Sequence, residues 1–390
     1  MKHKDSLLTQ SLKLDTKNTP LSTTLPIYQN ATFNYLNQND NPEYYYARKG
    51  NPNRTELEDK LKLLDNASQS LATNNGTSAI FAVLSLIPSN SHIMISQGIY
   101  SGTKNIINQL SKQHQIEISI LFSNKIEALE SQIKSNTKLI FIESPSNPTQ
   151  QVFDIRKIAE IIKNREILFA VDNSLLSSYF HQPLEFGADI AVQSAAKHLG
   201  GHNDLMAGII SSKQPDLDFE LKNIVNSFGL GLSAFDSWLL SRSLSTLAIR
   251  LKQQQENALS IANWLSQQKE IHEIYYLGLD SHSNYKLHLS QSKGFGSIIS
   301  FCLANDQLTS TFIEKAQKEF SFSRNFGSIQ TSISLPSQMS HKEDFLINNQ
   351  LPFNKNLIRL SVGIENIKDI YQIFNCIFHN LQSTNFSKTL

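Results

Sequence analysis

Ile167-Leu168-Phe169-Ala170-Val171-Asp172 and Ser194-Ala195-Ala196-Lys197-His198-Leu199-Gly200-Gly201-His202 decide how this chain folds in outline, with Lys197 lying 25 residues past Asp172 (197 − 172 = 25). The first stretch is a short, unbroken apolar run that ends in a carboxylate, the pattern of a strand buried on both faces. The second sets a lysine between small apolar residues and a glycine pair. A lysine amine is nucleophilic near neutral pH only when burial or a nearby cation lowers its pKa. A carboxylate at the end of a buried strand can keep a ring nitrogen protonated. Taken singly, each residue reads more readily as a surface lysine or a strand cap.

Outward from these stretches, strands and helices alternate. His92–Ser96, Ile116–Phe122, Lys138–Glu143, Ile167–Asp172, Asp189–Gln193 and Ala207–Ser211 read as short buried strands. Helical stretches over Thr77–Ile87, Gly102–Gln113, Ile126–Lys134 and Ile155–Asn164 separate them. This alternation predicts an α/β large domain with a mainly parallel central sheet covered by helices. Ligands of such sheets bind at the carboxyl ends of the strands, where Glu143 and Asp172 fall. A helix is expected from near Arg54, with acids in its first turn. A long helix over Ala234–Gln268 is expected to bridge to a smaller C-terminal α+β domain. That domain has strands near Ile271–Leu277, Gly296–Leu303 and Leu357–Val362, and helices near Leu308–Glu319 and Ile367–Gln382. The opening residues are polar and turn-rich, with Pro20, Pro26 and Pro42. The expected organisation is an arm over 1–50, a large domain over 51–240 and a C-terminal domain over 241–390.

Composition bounds the function. With 390 residues and 40% apolar content the chain can bury a large core. Its 35 basic and 34 acidic side chains leave a net charge of +1 without charged blocks, which argues against nucleic acid and anionic membranes as partners. Ala79–Ile87, the longest apolar stretch near a helix, is too short to cross a bilayer. Met1-Lys2-His3-Lys4-Asp5-Ser6 has no apolar run behind it, so no signal peptide is read and the cytoplasm is the expected compartment. Cys302 and Cys376 both sit in apolar runs and are expected to be buried thiols.

Several motifs converge on one chemistry. Thr73-Asn74-Asn75-Gly76-Thr77-Ser78-Ala79-Ile80 places a glycine turn and hydroxyls at a helix start, where backbone N–H groups can cradle a phosphate. Ser194 offers another hydroxyl close to Lys197. In Tyr46-Ala47-Arg48-Lys49-Gly50-Asn51-Pro52 a phenol and a guanidinium point to one side of an extended segment, and arginine suits phosphate. Tyr100 follows a strand and can stack on a cofactor ring. Glu143-Ser144-Pro145-Ser146-Asn147-Pro148 closes another strand and presents Asn147 as a hydrogen-bond donor. Arg359, in Leu357-Ile358-Arg359-Leu360-Ser361-Val362-Gly363, stands on an apolar strand and calls for a carboxylate, from the core or from an amino-acid substrate. His198 and His202 are split by a glycine pair and no further ligand follows at metal spacing, so no metal is expected. A reactive lysine with an aspartate for the ring nitrogen is how a protein mounts pyridoxal 5'-phosphate (PLP).

From about Leu25 to about Gln382 the chain resembles the cystathionine γ-synthase-like family of PLP-dependent enzymes of cysteine and methionine metabolism. The resemblance is carried by Tyr46-Ala47-Arg48-Lys49-Gly50-Asn51-Pro52-Asn53-Arg54, by Glu143 to Pro148, by Val171-Asp172-Asn173-Ser174, by Pro183-Leu184-Glu185-Phe186-Gly187-Ala188-Asp189-Ile190, by Ser194 to His202 and by Arg359-Leu360-Ser361-Val362-Gly363. It implies the fold type I of PLP-dependent transferases and a homotetramer built as a dimer of dimers. It implies Lys197 as the Schiff-base residue, Asp172 against the pyridine nitrogen and Tyr100 stacked on the ring. Gly76, Thr77 and Ser194 would hold the phosphate, and Tyr46 and Arg48 would reach the phosphate of a neighbouring subunit. Asn147 and Arg359 would orient substrate and cofactor, with Arg324 and Asn325 facing the substrate from a late loop.

The implied activity is β- or γ-elimination or replacement on cystathionine, a related sulfur amino acid or an activated homoserine. The alternatives are an O-acylhomoserine sulfhydrylase, a methionine γ-lyase and a PLP-binding protein with weak catalysis. Departures from the family pattern carry expectations of their own. Ala196 stands where the family usually has a threonine. The lost hydroxyl predicts PLP retention weaker by roughly 1.5–3 kcal/mol. Thr77 stands where many relatives carry methionine, and can compensate. Asn325-Phe326-Gly327-Ser328-Ile329-Gln330-Thr331 replaces a Ser-Leu-Gly-Gly loop, and Arg324 before it predicts a substrate with a distal acid.

Overall fold

The computed structural model describes residues 22–339 and 353–386. Helix α1 (Pro52–Asp65) starts where Asn51 accepts the Asn53 N–H and proline fills the first position. It therefore begins before Arg54, and the expected acids fall beyond its first turn. Strand β1 (Gln69–Thr73) follows, which hydropathy did not announce. Helix α2 (Gly76–Leu84), β2 (His92–Ser96), α3 (Ser101–His114), β3 (Glu117–Leu121) and β4 (Thr137–Glu143) come next. Then come α4 (Ile155–Ile162), β5 (Leu168–Asp172), β6 (Ile190–Ser194) and β7 (Gly208–Ser212).

These strands form one seven-stranded sheet in the order β1-β7-β6-β5-β4-β2-β3. β2 to β6 run parallel, while β7 is antiparallel to both β6 and β1. Alternate side chains serve two cores. Ile93, Ile95, Leu139, Phe141 and Ala170 pack with α2 on one face. Met94, Ile140, Ile142, Phe169 and Val171 pack with α4 on the other. Burial on both faces is why these strands read as unbroken apolar runs. After β2 the chain steps to β3 on one side, and then to β4 on the other. A reversal of this kind opens a crevice beyond the carboxyl ends of the strands.

A second, smaller sheet has the order β10-β11-β12-β9-β8, built from β8 (Ile271–Tyr275), β9 (Ile298–Leu303), β10 (Ser321–Phe322), β11 (Ser332–Ser334) and β12 (Ile358–Ser361). Its core joins Phe301, Ile299 and Leu360 to apolar residues of the flanking helices, among them Ile261, Phe312 and Phe374.

Three expectations are corrected. The helix expected over Ala234–Gln268 is two, α5 (Ala234–Leu244) and α6 (Leu247–Leu265). The carbonyl of Ser243 is taken by the Thr246 N–H at 3.2 Å and by Arg250 Nη2 at 3.1 Å, which ends the regular ladder there. The helix expected over Ile126–Lys134 is a 3₁₀ turn (Ser123–Ala128) followed by one short α-helical turn (Leu129–Gln132). Its buried residues, Ile126 and Leu129, are three apart, which suits three residues per turn. Cys302 is buried, but Cys376 is exposed, because Phe374, Ile377, Phe378 and Leu381 form the inward stripe of its helix. Within the expected arm, Thr32 bridges Tyr46, and residues 1–21 lie outside the described residues.

One clamp fixes the lysine segment to this scaffold. Buried Arg250 donates to the carbonyls of His198 (2.9 Å) and Leu199 (3.1 Å) as well as to Ser243. Gly201, at φ +74°, lies so close that a Cβ there would sit 2.0 Å from Arg250 Nη1. Gly201→Ala should therefore displace the clamp and strain the backbone, lowering stability by about 2 kcal/mol or more. A urea midpoint equal to that of the parent would refute this.

Candidate active site

The crevice beyond the strand ends is a cavity of about 660 Å³. All the predicted site residues line it except Tyr46 and Arg48. One wall is the start of α2. Asn75 caps that helix, accepting the Ser78 N–H at 2.8 Å and the Thr77 hydroxyl at 2.6 Å. A Cβ on Gly76 would lie 3.0 Å from Ser194 Cβ and 3.2 Å from its Oγ. Only glycine keeps that corner open, between a helix N-terminus with free N–H groups and a serine hydroxyl.

Lys197 follows β6 into the cavity. Its Nζ donates to Asn325 Oδ1 and lies 4.7 Å from the Phe326 ring centroid. Asn325 is held in turn, its Nδ2 donating to the Ala196 carbonyl at 3.1 Å and to Asn203 Oδ1 at 2.7 Å. Burial and the charge of Arg359 bring the Lys197 amine down to about 8, against the pull of Asp172. Asp172 ends β5 and accepts the Ser174 N–H at 2.9 Å. Burial raises its carboxyl, while Ser174 and the Lys197 charge hold it back.

Glu143 ends β4 directly opposite Asp172 in the parallel ladder. Burial and the facing Asp172 charge push Glu143 up, while the N–H groups of Asn147 and Tyr100 oppose that shift. Its Oε2 accepts the Tyr100 N–H and its Oε1 the Asn147 N–H, each at 2.9 Å. The Tyr100 ring is 44% exposed and faces the open cavity, free to meet a ligand.

Arg359, on β12, is 2% exposed. Its acceptors are Asn147 Oδ1 (3.1 Å), the Arg324 carbonyl (2.7 Å) and the Asn325 carbonyl (3.3 Å), and none is a carboxylate. Its Cζ lies 5.1 Å from the same Phe326 ring that Lys197 approaches. Burial lowers the guanidinium to about 10. Asn147, expected as a donor, here accepts with its side-chain oxygen, because the nearest polar partner is a guanidinium that can only donate. Arg324 is exposed at the rim, donates to the Met339 carbonyl at 2.9 Å and shares that rim with Asp204 and Asp236.

Tyr46 and Arg48 lie apart from the cavity of their own chain. The Arg48 guanidinium sits 5.3 Å from the Tyr46 ring centroid and donates to the Asn226 carbonyl at 2.6 Å. Phe326 and Glu143 are among the cavity residues that went without a role in the sequence. Phe326 carries no polar signal, and only its place beside the departing Asn325 marks it. Glu143 was placed at a strand end, but its pairing with Asp172 depends on strand register. His198 is buried against Phe326, while His202 bonds the Gly200 carbonyl at 2.7 Å.

Known proteins match this chain over nearly its whole length. The family model for Cys/Met metabolism PLP-dependent enzymes matches residues 8–377. A chloroplastic cystathionine beta-lyase of Arabidopsis thaliana is 37% identical over 380 residues, covering 97% of this chain and 82% of that protein. A cystathionine gamma-lyase of Bacillus subtilis is 33% identical over 98% of this chain and 100% of its own length. The crystal structure of cystathionine gamma-lyase from Lactobacillus plantarum, complexed with L-serine, superposes with a TM-score of 0.91 at 30% identity, covering 98% of this chain and 100% of that one. The fold, with its large mainly parallel sheet and second smaller sheet, is accordingly that of fold type I PLP enzymes. A match of this extent, on a chain that gathers a lysine, an aspartate and a buried arginine around one crevice, shows that the protein belongs to the PLP-dependent enzymes of Cys/Met metabolism.

Proposed function

We propose that this enzyme cleaves or exchanges the bond between carbon and a leaving group in a sulfur amino acid, with cystathionine as its substrate. The names of its relatives support the reaction class. The observation that carries the substrate class is Arg359: a buried guanidinium with three carbonyl acceptors and no carboxylate, opening onto the cavity that holds Lys197. A buried cation of this kind is best satisfied by a carboxylate delivered by the ligand. Arg324 at the rim suits a second, distal carboxylate and so favours cystathionine over methionine.

The residues present fit PLP. The corner between Gly76, Thr77 and Ser194 suits its phosphate, and Asp172 suits its ring nitrogen. Tyr100 faces the space for its ring, and Lys197 offers the amine that captures its aldehyde. Tyr46 and Arg48 are assigned to the phosphate of a neighbouring subunit. In this reading the chain is an arm over 1–50, a large domain over 51–240 and a C-terminal domain over 241–390, assembled as a homotetramer in the cytoplasm. Its unpaired thiols suit a reducing compartment.

When bound, PLP supplies an electron sink for the pair left behind as the Cα–H bond of an amino acid breaks. The protein does the rest. Arg359 and Asn147 fix the substrate carboxylate and so aim the Cα–H bond. Lys197 Nζ, once free, accepts the Cα proton; an amine near 8 is a competent base close to neutral pH. The Ser174 N–H and a nearby cation favour the ionised form of Asp172. For a γ-leaving group, Lys197 must move a second proton, from Cβ.

Cystathionine turnover followed by mass spectrometry tests the assignment. Homocysteine, pyruvate and ammonia mark β-cleavage; cysteine, 2-oxobutyrate and ammonia mark γ-cleavage; neither set would end the proposal. Lys197→Ala should give a protein without the visible band of bound coenzyme and with negligible turnover, and an unchanged spectrum would refute the lysine's role. Arg359→Ala should raise KM by roughly 10-fold to 100-fold with coenzyme still bound; an unchanged KM would refute the carboxylate assignment. The rate at which coenzyme-free protein captures PLP should rise with pH and level off above about 8, since only the neutral amine attacks. A rate still climbing at the ordinary lysine pKa would show that the cavity does not depress Lys197.

A further inference from the structure

We propose that Glu143 is a positioning residue that ties the two sides of the active site together, holding the Tyr100 turn with one carboxyl oxygen and the Asn147 loop with the other. The inference rests on the function proposed above for the role of those two loops. Glu143 itself is 6% exposed and sits at the end of β4, where its own N–H donates to Ser96 Oγ at 2.9 Å. That bond and the ladder to Asp172 fix where its side chain starts. From there the carboxyl reaches backwards to β2's exit, at the Tyr100 N–H, and forwards to its own loop, at the Asn147 N–H.

Neither amide belongs to a strand ladder. Tyr100 sits just before α3, and no side chain caps that helix. The loop after β4 carries Asn147, whose side chain is the only neutral side-chain acceptor among the three partners of Arg359. A single carboxyl therefore sets the height of the tyrosine that faces the cofactor space. It also sets the asparagine that steadies the arginine of the substrate carboxylate. Both carboxyl oxygens carry acceptor lone pairs whether or not one of them is protonated. A glutamine of the same shape has one acceptor oxygen and an NH₂ group without any, so it keeps at most one of the two loops. The site can then no longer hold both sides at once.

The test is Glu143→Gln in the holoenzyme, read by hydrogen exchange with mass spectrometry, by the visible circular dichroism of bound PLP and by steady-state kinetics on cystathionine. The expected result is faster exchange in peptides over the Tyr100 turn or the Asn147 loop, with exchange in β4 and β5 unchanged. KM should rise roughly fivefold or more, or the dichroism band should shrink, according to which loop is released. Exchange, KM and dichroism equal to those of the parent would overturn the inference. So would faster exchange spread evenly through β4 and β5, because that marks a merely structural carboxyl. If the glutamine variant does not fold, Glu143→Asp serves. It keeps the charge but shortens the arm by one methylene, so at least one loop must loosen; no loosening overturns the inference. A parent protein that binds PLP but leaves cystathionine intact would count against the proposed substrate, while the loop exchange still decides the role of Glu143.

Discussion

Everything at this site follows from confining two cations and two carboxyl groups in one buried crevice. Lys197 and Arg359 share the cavity, and each loses stability as a cation by burial. The lysine yields, because an ammonium can give up its proton near neutral pH and a guanidinium cannot. The same competition acts on the acids. Burial raises both carboxyls; Ser174 opposes the rise at Asp172, and the backbone donors of Asn147 and Tyr100 oppose it at Glu143. An amine brought near neutral pH, two raised carboxyls and a guanidinium without a carboxylate partner share the same low-dielectric space.

The scaffold is arranged to hold those groups still. The carboxyls lie at the ends of central strands buried on both faces, where neither can swing away. Phe326 presents one ring to both groups, 4.7 Å from the Lys197 amine and 5.1 Å from the Arg359 guanidinium, and contributes no charge of its own. Arg250 clamps the carbonyls just after the lysine, and Gly201 leaves room for it. Lys197 thus rides on a segment pinned from behind, with its amine turned into the cavity toward Asn325.

Relatives that share this core carry different names for where they cut, a beta-lyase and a gamma-lyase among them. In the proposed function the inner groups of the cavity act on the α-carbon, a step common to either reaction. Arg324, Asp204 and Asp236 add charged groups to the lining of the same cavity. The departures noted in the sequence at Thr77, Ala196, Arg324, Asn325 and Phe326 all line this cavity.

Local sequence by itself determined the alternating strands and helices, the candidate lysine and aspartate, and the glycine turn at the start of α2. Each of these is written in short-range patterns: apolar runs, a helix start, a glycine where no Cβ fits. The breaks were not legible. Separation of α5 from α6 hangs on Arg250 reaching back to a carbonyl, and the exposure of Cys376 hangs on which face of its helix the core takes up. The roles of Glu143 and Phe326 were also hidden, as was the acceptor role of the Asn147 side chain, whose backbone N–H donates. Strand register and the return of distant loops brought these groups together. Contacts between residues far apart in the chain leave no local pattern, because they depend on how the sheet is ordered and not on what lies beside each residue in sequence.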